Sequence, residues 1–85
     1  MMDIAQRIAD VASREDLAAF VGLLARDLEH HPDEWGNSDL LDFLDAMAAW
    51  IADMDGYYAN IGKLTPAQPS WHTIAEILAA SRIYE

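Results

Sequence analysis

From Leu40 onward the chain carries an apolar pattern that only a helix satisfies. Leu40, Leu44, Met47, Ile51, Met54, Tyr58 and Ile61 alternate spacings of four and three, which stacks them on one side of a 3.6-residue turn. Phe43, Trp50 and Tyr57 recur seven apart and widen the same face. At 100° per residue the apolar arc spans about 140°. A strand would scatter these side chains over both of its faces. Gly56 lies inside the run and costs a helix about 1 kcal/mol relative to alanine. The pattern persists beyond it, so the spacing predicts continuation to Asn60, with Asn60 and Gly62 as the stop. Asn37 or Ser38 is placed to cap the start.

The flanking segments read as shorter helices. Ile4, Ile8 and Val11 share one helical stripe. Ser13 stands three residues before Asp16, a capping-box spacing that opens a second helix. Its apolar residues are Leu17, Phe20, Val21, Leu24 and Leu28, again at helical spacing. Pro32 ends it, and Pro32 to Asn37 forms a connector with room for one helical turn. Leu64 to Pro69 holds two prolines and reads as a loop. Ser70 caps a fourth helix that should run to about Ile83, with Trp71, Ile74 and Leu78 on its buried stripe and Ile77 beside them. No segment shows sustained period-two alternation. The expectation is a small all-α protein, one domain over residues 1–85, with four helices packed around a long central third helix.

At 85 residues one core supplies only about 3–5 kcal/mol unless helix packing is good. Help from a partner, or from a homodimer, fits that size. The 53% hydrophobic content argues against disorder despite a net charge of −10. That charge repels nucleic acid and anionic membrane, so direct binding to either is not expected. With no cysteine, thiol catalysis and Cys-ligated zinc are excluded. The start lacks a basic stretch followed by an apolar run, and no apolar stretch reaches membrane-spanning length. A cytoplasmic protein without cofactor is the expectation.

The charge is concentrated in the middle of the chain. Residues 27–55 hold nine acids (Asp27, Glu29, Asp33, Glu34, Asp39, Asp42, Asp45, Asp53 and Asp55) and no Lys or Arg. On the third helix Asp39, Asp42, Asp45 and Asp53 fall within an arc of about 120° opposite the apolar face. Such a face either keeps a protein soluble or steers a basic partner onto it. Asp55 leaves that arc and lies near Leu44, Ala48 and Ile51 on the wheel. A carboxylate there calls for a structural partner, and Arg82, Lys63 or a tyrosine hydroxyl is a candidate.

Other chemistry is weakly supported. Asp53-Met54-Asp55-Gly56 resembles the centre of a calcium loop, but Ile51 and Gly62 occupy positions where that loop needs acids. His30 and His31 point apart on a helix, and Pro32 breaks the geometry that would join Asp27, His31 and Glu34 into a metal site. Ser13, Ser38 and Ser70 read as caps rather than nucleophiles, and His72 has no nucleophile beside it in sequence. The four glycines are isolated, so there is no phosphate loop. The aromatics are many for so short a chain. Trp35 in the connector and Tyr57 at the acidic edge of the apolar arc are the candidates for exposed interface anchors.

The run from Ala46 to Tyr58, containing Trp50 and Asp53-Met54-Asp55-Gly56-Tyr57-Tyr58, together with Asn60 and Gly62, resembles the signature of a small bacterial family defined as a domain of unknown function. Trp35, Asn37, Trp71, Ala75, Leu78, Ala79, Ala80 and Tyr84-Glu85 agree with it, and the resemblance covers roughly residues 13–85. It implies a free-standing bacterial helical protein and brings no activity, ligand or catalytic residue.

Three functions follow as expectations. The first is a non-catalytic protein-binding module, of the immunity, inhibitor or adaptor kind, that docks a basic protein through Asp39, Asp42, Asp45 and Asp53 with Trp35 and Tyr57 as anchors. The second is a small-ligand-binding protein or enzyme built on the corner formed by Asp53, Asp55, Gly56, Tyr57 and Tyr58. The third is a nucleic-acid mimic whose acids copy phosphates.

Overall fold

The computed structural model describes residues 4–84. Met1, Met2, Asp3 and Glu85, the last with its place in the signature, lie outside the described residues. Four α-helices follow in order: α1 (Ile4–Ile8), α2 (Arg14–His30), α3 (Leu40–Asn60) and α4 (Trp71–Ser81). The Pro32–Glu34 segment makes one 3-10 turn between α2 and α3. The described residues contain no strand, so the all-α expectation holds.

Local signals act where the sequence places them, with two exceptions. The Ser13 hydroxyl accepts the Asp16 N–H, while the Asp16 carboxylate accepts the N–H of Ala12, one residue before the cap. Ser70 and Thr73 form a full capping box at the start of α4. Helix α3 runs unbroken through Gly56 and ends in a Schellman motif. Lys63 N–H meets the Tyr58 carbonyl, Gly62 N–H meets that of Ala59, and Gly62 takes φ +73°. The first exception is the cap of α3. Asp39, not Asn37 or Ser38, accepts the Asp42 N–H at 2.8 Å. The second is the length of α4, which stops at Ser81.

The hub of the fold is α4 rather than α3. Helix α4 packs against α1, α2 and α3, whereas α4 is the one helix whose backbone comes close to that of α3 among the described residues. The buried residues of α4 are Thr73, Ala75, Ala79 and Ser81. Trp71, expected inside, is exposed, and Ile74, Ile77 and Leu78 are half-buried. Small inner side chains let three helices approach one, which a search for large apolar residues overlooks. The main core joins Ile4, Val11, Phe20, Leu24, Trp35, Ala75 and Ala79, with Phe43 and Leu78 against it.

The connector between α2 and α3 is a clasp. Trp35, expected to be an exposed anchor, is 8% exposed. Its indole N–H donates to the buried Asp27 carboxylate at 2.7 Å, its ring stacks on Phe43, and the Arg82 guanidinium lies 5.8 Å from its centroid. Asn37, freed from capping, donates through its side-chain amide to the carbonyls of Ser81 (3.1 Å) and Tyr84 (2.9 Å), and through its backbone to that of Arg82 (2.8 Å). These bonds fasten the start of α3 to the end of α4.

Removing the Asn37 amide strands two part-buried carbonyls. Asn37→Ala should lower unfolding free energy by about 1–3 kcal/mol in a urea titration. A variant as stable as the parent would show that the clasp is not holding α3.

Candidate functional site

The outer side of α3 brings the predicted residues together only in part. The buried side of the helix centres on Ala46, Trp50 and Tyr58, flanked by half-buried Phe43, Met47 and Met54. The other half of the predicted apolar arc faces water. Leu40 is 72% exposed, Leu44 49% and Ile51 45%. The reason is that α4 is the one helix packed on α3 among the described residues, so it covers one side of α3, and residues at the same height on the neighbouring side stay in water.

The acids divide into three roles. Asp39 caps α3. Asp42 and Asp45 stand in solvent one turn apart. Asp39 raises the Asp42 carboxyl above the usual carboxylate range, first through a side-chain hydrogen bond and then through its charge. Asp53 accepts the Tyr84 hydroxyl at 2.5 Å. That bond, with some burial and the carboxylate's charge, raises the Tyr84 phenol above its ordinary range.

The Asp-Gly-Tyr-Tyr corner is split. Asp53, Asp55, Gly56 and Tyr57 line an open hollow of about 760 Å³ together with Trp50, Ala52, Asn60 and Tyr84. Tyr57 is 40% exposed and tilts against Trp50 at 5.6 Å. Tyr58 turns inward and donates to Glu76 at 2.7 Å. Asp55 is exposed, and neither Arg82, Lys63 nor a tyrosine hydroxyl reaches it, contrary to the expected structural pairing. Tyr84 and Asn60 enter the hollow from positions that the resemblance includes but helical periodicity does not single out.

A polar chain crosses the hub beneath this surface. The His72 ring, through Nδ1–H, donates to the Ile8 carbonyl at 2.9 Å, and its Nε2 lies 3.8 Å from Glu76, which accepts Tyr58. Two hydrogen bonds and the His72–Glu76 approach thus link α1, α4 and α3. Among the described residues no group of three or more His, Asp or Glu is arranged to hold a metal ion. No helix there is long and apolar enough to cross a membrane.

Burial first, and then the Glu76 hydrogen bond and charge, push the Tyr58 phenol well above its ordinary 10.0. A raised folded pKa adds stability that is full below the unfolded value and is lost as pH climbs toward the folded one. Stability should therefore fall as pH rises above about 10, and Tyr58→Phe should flatten that fall. Parallel pH profiles from chemical denaturation would contradict the assignment.

A Cβ at Gly56 would meet nothing within 4 Å. Gly56→Ala should therefore stabilise the protein by about 0.5–1 kcal/mol, and calorimetry should show a higher Tm. A lower Tm would mean that the helix needs glycine there for its backbone.

No curated protein and no solved structure matches the chain. One family model does, over residues 13–85, where Trp35, Asn37, the hollow's side chains and the whole of α4 lie, and its description is a family of unknown function, DUF7660. The match takes in all of α2, α3 and α4, and on that extent the chain belongs to this family.

Proposed function

We propose that the protein is a non-catalytic binding module that docks a basic partner protein through the outer surface of α3. One observation carries this reading: a 21-residue helix is held from one side, and its free side bears Asp42, Asp45, Asp53 and Asp55 with no Lys or Arg anywhere from residue 27 to 55. A single-sign surface of this kind accelerates encounter with an oppositely charged protein and fixes its orientation. Tyr57 supplies an exposed aromatic at the edge. Trp35 is withdrawn from this role by its place in the core, and Asp39 contributes charge while serving as a cap. In the hollow Tyr84 donates its hydroxyl to Asp53 and holds its proton more tightly than a free tyrosine, the reverse of an activated nucleophile, which supports a binding over a catalytic reading.

A second reading has its own observation. The hollow combines the rings of Trp50, Tyr57 and Tyr84 with the carboxylates of Asp53 and Asp55, a lining suited to a small organic cation. Amide shifts confined to the hollow on titration with a free guanidinium or ammonium compound would favour it.

The test of the first reading is capture from a lysate at low salt, with elution by a salt gradient and identification by mass spectrometry. A basic protein should elute at moderate salt, and the combined variant Asp42→Asn, Asp45→Asn, Asp53→Asn should fail to retain it. Equal retention by the variant would sink the acidic-face reading. Competition by duplex DNA for the captured protein would point instead to nucleic-acid mimicry.

A further inference from the structure

The exposed apolar residues of α3 are ordered, not scattered. Leu40, Leu44, Ala48, Ile51 and Asp55 follow one another at spacings of four, four, three and four, and all five are exposed. They form one row about 22 Å long on the helix surface. Leu41, 68% exposed, widens the row at its start, and Asp45 lies one turn beyond Leu41. Exposed leucine and isoleucine in a continuous line are the mark of a contact surface rather than of a solvated helix. Ala48, in the middle, leaves a shallow point between larger neighbours, which suits a protruding side chain from another helix.

Charge decides what lies on this row. The carboxylate of Asp55 ends it with no hydrogen bond or ion pair, and Asp45, beyond Leu41, borders it on the side away from the buried residues. A second copy of the chain would bring the same acids and a further net charge of −10 against them. A helix with basic residues would bring their complement.

We infer that the outer row of α3 receives one amphipathic helix of a partner protein, with Leu- or Ile-type side chains at three-and-four spacing against Leu40, Leu44, Ala48 and Ile51, and with Lys or Arg facing Asp55 and Asp45. The inference rests on the protein-binding reading above and adds to it an apolar centre and a helical partner. Burial of leucine and isoleucine at the centre sets the affinity, and the acids at the rim set orientation and rate.

The test uses the whole protein and a synthetic amphipathic Leu/Lys helix of about 18 residues, long enough to span the row. A peptide of the same composition in scrambled order keeps the charge and loses the apolar face. Backbone-amide NMR should place the shifts from the first peptide on residues 40–55. The scrambled peptide should bind at least about tenfold more weakly, and Leu44→Ser with Ile51→Ser should loosen the first by a similar factor. Both side chains face water, so the double variant should keep its Tm within a few degrees, and a collapse of Tm would overturn the inference by showing that they are core. If both peptides bind alike and the double variant changes nothing, the contact is electrostatic only. The acidic-face reading then stands and the apolar row falls. If neither peptide shifts the spectrum, both fall. If the free protein sediments as a dimer that Leu44→Ser dissociates, a second copy covers the row and the proposed partner is wrong.

Discussion

Helix α4 holds the protein together through side chains that take up little space. Thr73, Ala75, Ala79 and Ser81 are its buried residues, and Ser81 satisfies its hydroxyl on the Ile77 carbonyl one turn back. A helix with so slim an inner side can be approached by several others at once, and α1, α2 and α3 all pack on it. The longest helix is consequently a peripheral one. It is fastened along one seam and by the Trp35–Asn37 clasp at its start, and its far side remains outside the core.

Polar groups reinforce this arrangement. Glu76 receives Tyr58 from α3, and His72 on the same helix reaches the last residue of α1. Asp27 is buried against Trp35. Among the described residues no buried side-chain nitrogen or oxygen lacks a partner. In a domain of this size such satisfaction matters, because one unpaired buried group costs a large fraction of the net stability. It also separates inside from outside on α3. Tyr58 is paired within the fold, whereas Asp55, three residues earlier, has no partner in it.

Helical periodicity carried most of the fold and little of the site. The four helices, the Ser13 and Ser70 caps and the Gly62 stop were legible because each depends on neighbours within a turn. The hub was not, since alanine and serine give no hydrophobic signal of burial. Trp35 and Asn37 were misread for a related reason. Their partners, Asp27 at one end and Ser81 and Tyr84 at the other, lie 8, 44 and 47 residues away. The apolar arc of α3 was legible as an arc, but not which part of it the fold covers. Which part of a wide arc is covered depends on how many helices pack on it, and α3 has one such neighbour among the described residues. The acids were visible as a cluster, but cap, hydroxyl partner and free charge differ only in three dimensions.

The functional account depends on α3 presenting leucine and isoleucine to water in the free protein. Methyl-labelled protein, at a concentration where it sediments as a monomer, can be titrated with a soluble paramagnetic gadolinium chelate. The account predicts strong relaxation of the Leu40, Leu44 and Ile51 methyls while those of Ile4, Val11 and Leu24 are spared. Equal protection of both sets would contradict it, because the face assigned to a partner would then already be covered within the chain.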